Sequence, residues 1–153
     1  MADFVVDVEV ARPRAEVHRW WTGFPDAYDA TDPREQPHRI RVLKREGPRI
    51  DLHTWWRMPL GVELLIPETV HLQDEGRFHI DVALPLALAQ VDRFTLTEKD
   101  GRTHVHIEFD VRPRGAAGRL TRPFYLAYMR ATFPRSFRTA ARLCERDAPH
   151  LGA

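Results

Sequence analysis

The chain has 153 residues, 43% hydrophobic and 29% charged, with a formal net charge of +1. Length and composition of this kind describe one soluble globular domain with a single core, burying about 70% of the surface its unfolded chain exposes. The lone Cys144 excludes an intramolecular disulfide framework and fits a reducing compartment, and no apolar run approaches the roughly 18 residues a membrane span needs.

The N-terminus opens directly on an alternating segment, without a basic stretch followed by an apolar signal core, so a cytoplasmic protein is expected. Charge is unevenly spread. Residues 112–146 carry nine Arg against one acidic residue, Glu145, a local sum of +8, so the rest of the chain sums to −7. Lys occurs only at Lys44 and Lys99, and genome base composition accounts for the Arg excess without selection for phosphate binding. The Arg face reads as a solvated helix surface whose stems cover apolar neighbours. The alternative is an interaction module that contacts phosphates along this helix, and nucleic acid is not the expected partner.

Phe4, Val6, Val8 and Val10 alternate with Asp3, Asp7 and Glu9, which predicts a half-buried strand over 3–10. Arg12-Pro13 ends it. Pro suits the first turn of a helix, and Val17, Trp20 and Trp21 follow at i, i+3 and i+4, predicting a short amphipathic helix to about Thr22. Residues 24–31 read as a further turn or two.

From residue 38 the period is two. Glu46-Gly47-Pro48, Pro59-Leu60-Gly61, Asp74-Glu75-Gly76, Leu84-Pro85 and Asp100-Gly101 separate predicted strands 38–45, 49–57, 62–72, 76–83, 88–98 and 102–112. Asp-Gly is the clearest hairpin signal, because both central residues of a type I′ turn need positive φ. These connections are too short for crossover helices, so the sheet is antiparallel.

Residues 115–146 close the chain as one long helix bearing two apolar stripes at ~100° per residue. Leu126, Met129, Phe133, Phe137, Ala140 and Cys144 form the first; Leu120, Phe124, Ala127, Tyr128 and Ala131 form the second, which stops at Pro134. One stripe can lie on the sheet. The other calls for a second apolar surface: a pocket lining, the short helices, or another subunit. Pro134 should bend the helix, since it removes a donor and crowds the preceding turn.

The opening strand VVDVEV, the turn ARPRAEVHRWW, the hairpin DRFTLTEKDGRTHVHIEFDVRPRG and the helix after RPFYLAYM together resemble the START-like superfamily, also called SRPBCC. Within it the chain is most similar to the polyketide cyclase/dehydrase-like group. The resemblance covers nearly all 153 residues, on patterns shared with the birch-pollen-allergen-like and coenzyme-Q-binding branches. It implies an α+β helix-grip fold: a seven-stranded curved antiparallel sheet wrapped around a long C-terminal helix, with one or two short helices after strand 1. It also implies a hydrophobic cavity between sheet and helix, of the kind in which members carry sterols, phospholipids, quinones or polyketides. Residues 1–148 form the expected domain and 149–153 a short tail.

Alternate strand residues share a face, so each strand's inward column can be assigned. The columns read Ile40 and Val42; Ile50, Leu52, Thr54 and Trp56; then Val62, Leu64, Ile66, Glu68, Val70 and Leu72. The later strands give Phe78, Ile80 and Val82; Gln90, Asp92, Phe94 and Leu96; and Val105, Ile107, Phe109 and Val111. Thr54, Glu68, Gln90 and Asp92 are the polar exceptions. A carboxylate in an apolar lining pairs, turns neutral as its pKa rises, or orients a polar ligand group. Those properties make Glu68 and Asp92 candidates for ligand anchoring or for acid and base catalysis. Two bland readings stand beside this one: a bulge at Pro67 would turn Glu68 to water, and Asp92 near its strand's start can sit at a wet margin.

Thr54, Trp56, Glu68, Val70, Phe78, Ile80, Gln90, Asp92 and Phe94 are thus the expected ligand-binding residues on the sheet, with Tyr125 and Met129 added from the double-faced half of the helix. His104 and His106 lie two apart, a spacing that can bind zinc. They alternate with Val105 and Ile107, which take the core, so they belong with Arg77, His79 and Asp81 on the outer face, and neither metal nor cofactor is expected. The leading functional expectation is a carrier or sensor of a hydrophobic small molecule, either monomer or homodimer. A polyketide cyclase/dehydrase-like enzyme using Glu68 or Asp92 is the alternative.

Overall fold

The computed structural model describes residues 1–23, 38–57 and 59–150. The turns expected over 24–31, and residues 151–153 of the expected tail, lie outside this set. β1 spans Phe4–Val10 and is followed by α1, Arg14–Gly23. Pro13 starts α1, its carbonyl accepting from the Glu16 and Val17 N–H groups at 3.1 Å. Val17, Trp20 and Trp21 are the buried face.

The remaining strands are β2 (His38–Glu46), β3 (Arg49–Arg57), β4 (Glu63–Asp74), β5 (Arg77–Leu84), β6 (Leu88–Lys99) and β7 (Arg102–Pro113), and α2 closes the chain over Gly115–Asp147. A 3-10 turn, Ala148–His150, follows. The seven strands form one sheet in the order β1-β7-β6-β5-β4-β3-β2, and every pairing is antiparallel. Only β1 is out of sequence order. It pairs with β7, which puts it on the edge opposite β2 and beneath the last helix.

Hairpin chemistry behaves as the sequence predicts at Asp100-Gly101, where both residues have positive φ, 53° and 72°. The β3–β4 connection differs from the expected column. Leu60 and Gly61 both have positive φ there, so pairing resumes only at Glu63 opposite Arg57. Val62, placed inward by alternation, is instead exposed before the strand begins.

Pairing through Pro67 carries no bulge: His53 faces Pro67, Leu52 faces Glu68, and the irregularity in β4 lies between Leu72 and Asp74. Pro67 sits one residue beyond the last β4–β5 pair, Glu68 with Val82, where its missing N–H interrupts no partner on that side.

A single core lies between the sheet's inner face and α2, with α1 closing one end. Leu126, Met129, Phe133 and Cys144 of the first stripe are buried, with Phe137 and Ala140 partly so. The second stripe is a correction. Leu120 and Phe124 are 72% and 75% exposed, and among the described residues no second apolar surface meets them. The helical conformation of α2 continues through Pro123 and Pro134.

Both ends of α2 are tied to residues flanking β1. At its start the Asp3 carboxylate accepts from Arg122 Nη2 and from the Val111 N–H, and Arg122 Nε donates to the Val111 carbonyl at 2.9 Å. At its far end Glu145 accepts from the Ala11 N–H at 2.7 Å and, through its carbonyl, from Arg12 Nε at 3.0 Å. These clamps hold the long helix over the concave face and help set the space left beneath it.

Candidate functional site

Under the second half of α2 lies a cavity of about 110 Å³. Its walls come from elements distant in sequence. β3 supplies Thr54 and Trp56, β4 Glu68, β5 Ile80, and β6 Asp92 and Phe94. Trp21 at the end of α1, Ile40 on edge strand β2, and one face of α2 from Phe133 to Leu143 complete them.

Most of this lining is aromatic or aliphatic, and the rings brace one another. Trp56 meets Phe133 edge-on with centroids 5.9 Å apart, Trp21 approaches Phe94 at 6.4 Å, and Phe94 lies 6.3 Å from Phe137. Phe78 stacks behind Phe94 at 4.4 Å and so rigidifies the wall without forming it.

The polar groups are few, and two are acids. Asp92 is 8% exposed, and its Oδ1 accepts from Gln90 Nε2 at 2.6 Å. Gln90 Oε1 in turn accepts from the Tyr125 hydroxyl at 2.7 Å, which ties β6 to α2. Burial is the largest cause pushing the Asp92 carboxyl well above the usual carboxylate range; Gln90 opposes the shift, while the charges of Glu68 and Asp81 add to it. Burial likewise raises the Tyr125 phenol, which stays protonated.

Glu68 is only partly shielded, because it borders the cavity, yet its carboxyl is surrounded by protein. That burial lifts its pKa from 4.5 to about 7, with smaller opposing effects from Thr54 and Trp56. Thr54 Oγ1 is buried and, near as it is to Glu68, makes no hydrogen bond of good geometry among the described residues. A buried hydroxyl without a partner costs stability unless water or a ligand satisfies it.

The structure therefore brings Thr54, Trp56, Glu68, Ile80, Asp92 and Phe94 to one cavity. Gln90 and Tyr125 stand behind it as a hydrogen-bonded support. Val70, Phe78 and Met129 are buried in the surrounding core, outside the lining. Sequence reasoning did not name Trp21, Ile40, Phe133, Ser136, Phe137, Ala140 and Leu143 as site residues. Ile40 and the Phe133–Phe137–Ala140 stripe were legible as inward, but alternation cannot say which inward residues border a void. Ser136 and Leu143, off that stripe, carried no such signal.

The outer face holds two hydrogen-bonded His–Asp sets. Asp7 Oδ1 contacts His104 Nε2 at 2.8 Å and His106 Nδ1 at 2.7 Å, and His71 Nε2 contacts Asp81 Oδ2 at 3.1 Å beside His79. Parity predicted the face; Asp7 and His71 join only through strand pairing. No described helix is long and apolar enough to cross a membrane.

No family model matches the chain, and no curated protein matches its sequence. Solved structures do. The Zhui aromatase/cyclase from a Streptomyces species superposes with a TM-score of 0.72 at 15% identity, over 96% of this chain and 93% of that one. A START superfamily protein from Mycobacterium smegmatis gives 0.65 at 17% identity, over 97% of each chain. The di-domain aromatase/cyclase StfQ of the steffimycin biosynthetic pathway gives 0.69 at 15% identity, over 97% of this chain and 52% of its own. The fold is the START-like helix grip. In this helix grip the acids come from β4 and β6 and the aromatic walls from β3, β6, α1 and α2. Identity this low carries the architecture and no residue's role.

Proposed function

We propose that this protein binds a hydrophobic small molecule in the cavity between its sheet and α2, and acts as a carrier or sensor. The observation that carries the reading is the composition of that lining: aromatic and aliphatic walls with a few convergent polar groups, Thr54, Glu68, Asp92 and Ser136. This is the usual make-up of a small-molecule site, apolar surface for affinity and few polar groups for orientation. Volume narrows the class. About 110 Å³ is below the roughly 150 Å³ of an apolar cavity that takes up benzene, so a short-chain molecule of a few heavy atoms fits and a sterol or phospholipid does not. The buried free thiol of Cys144 supports a reducing compartment such as the cytoplasm.

Native mass spectrometry of protein purified without detergent tests the proposal, alongside an Ala140→Phe variant that fills the cavity. A bound organic adduct in the wild type, absent from a folded Ala140→Phe protein, is the expected result. Apo masses for both, together with unchanged melting temperatures across a panel of short-chain alkyl and amphipathic compounds, would sink it.

A second reading has one observation behind it. A carboxyl titrating near 7, as Glu68 does, with a second acid in the same cavity, is poised for proton transfer at neutral pH. An acid/base enzyme of the polyketide cyclase/dehydrase kind would use Glu68 or Asp92 to enolise or dehydrate a β-keto substrate. Glu68→Gln and Asp92→Asn separate the readings: an enzyme loses turnover by orders of magnitude, whereas a carrier shows no turnover of β-keto compounds to lose.

A further inference from the structure

Among the described residues, the two acids in the cavity have no counter-charge. No Lys, Arg or His is among the described residues that line it. The nearest hydrogen-bond partner of Asp92 is the neutral Gln90, which occupies only Oδ1. Thr54 adds a buried hydroxyl with an unused hydrogen-bonding position. Around these groups stand Trp21, Trp56, Phe94, Phe133 and Phe137. Resting on the cavity reading above, we infer that the ligand is a small ammonium compound, a primary or methylated amine on a short alkyl chain.

Each part of the arrangement favours a cation over the alternatives. A buried carboxylate is costly unless paired, and a cationic ligand supplies the partner that the described lining omits. A primary ammonium has three N–H donors and no acceptor, and Glu68, Asp92 and Thr54 offer three acceptor groups from three strands. Aromatic faces around a desolvated cation add attraction through the ring quadrupole, as in aromatic cages that hold methylated amines. A fatty acid or other carboxylate meets the opposite: two acids and no donor with a positive charge. A neutral ketone is the closest rival, because it accepts from the protonated form of Glu68 or Asp92.

Titration distinguishes that rival. Among the described groups, Glu68 acts on Asp92 across this space and Asp81 acts on it from the outer face, while both acids act on the protonated Tyr125 on the α2 side. An ammonium draws one carboxyl, that of Glu68, into its charged form and releases its proton on binding. Its affinity therefore rises with pH as Glu68 loses its proton, whereas a ketone's falls.

Isothermal titration of the full chain with four probes of one size is the test: butan-1-amine, butan-1-ol, butan-2-one and propanoate. The amine is expected to bind at least about tenfold tighter than the alcohol and ketone at pH 7.5, with no uptake of the acid. That advantage should shrink from pH 7.5 to pH 6, and disappear in Glu68→Gln or Asp92→Asn. An alcohol or ketone that binds as tightly as the amine overturns the ammonium inference and leaves the cavity reading standing. If none of the four binds, both fall. Each variant's urea midpoint is measured first; should one unfold, the wild-type probe series and its pH dependence decide alone.

Discussion

Gln90 donates to Asp92 at 2.6 Å while accepting from Tyr125 at 2.7 Å, so a buried acid on the sheet is held through one amide to a phenol on α2. With Asp92 ionised, reversing the amide would turn its oxygen toward the carboxylate and lose that bond. This fixes the side of Asp92 that faces the cavity. It also makes Tyr125 a support for the site without bordering it.

Tyr125→Phe removes the phenol oxygen and leaves Gln90 Oε1 buried and unpaired. Leaving one buried acceptor without a partner costs about 1–3 kcal/mol, and urea unfolding should show a loss of that order with an unchanged slope. A neutral result would mean that Gln90 turns freely and does not orient Asp92.

Glu68 should make stability depend on pH. Its folded pKa, about 7, lies above the ordinary 4.5, so the folded protein holds a proton that the unfolded chain has released. The contribution is intact below 4.5, declines as pH rises, and reaches its full cost above 7. A shift of this size corresponds to roughly 3 kcal/mol. Denaturation from pH 4.5 to 8 should show wild type falling relative to Glu68→Gln by that order, with Asp92 acting in the same direction in both proteins. Parallel curves would place the Glu68 carboxyl in bulk water.

On the outer face, His106 is held above its ordinary pKa, mainly by its hydrogen bond to Asp7, with Glu108 assisting and partial burial opposing. Asp7→Asn should return His106 toward 6.5. NMR titration of the imidazole resonances reads this directly, and an unmoved midpoint would show that the pairing is absent in solution.

Gly118 lies where α2 crosses the β5–β6 turn. A Cβ there would stand 2.3 Å from the Ala87 carbonyl oxygen, a backbone atom, and Leu86 and Ala87 both hold positive φ. Thr121 Oγ1 donates to the Leu86 carbonyl, and the Arg114 N–H to that of Ala87, so the turn has little freedom to retreat. Gly118→Ala should therefore cost roughly 1–3 kcal/mol, as overpacking does, visible as a lowered melting temperature. An unchanged Tm would show that the helix start can lift from the turn.

Most elements and their faces were legible from residue order alone. Alternation at β1 and β5–β7 and the Phe133–Phe137 stripe mark what turns inward, because period two and period 3.6 are set by backbone geometry alone. Asp100-Gly101 marked its own turn for the same reason, the left-handed conformation being local. Alternation also made Glu68 and Asp92 stand out, as polar residues in apolar columns. Tertiary structure decided the rest. Only the register Leu52–Glu68–Val82 shows that Pro67 causes no flip, and the two clamps from α2 to the residues flanking β1 help set how much space remains under the helix. That space is why Trp56 and Phe94 line a cavity while Val70 and Met129, equally apolar and equally inward, are packed solid: burial follows from pattern, but a void follows from how distant surfaces fail to meet.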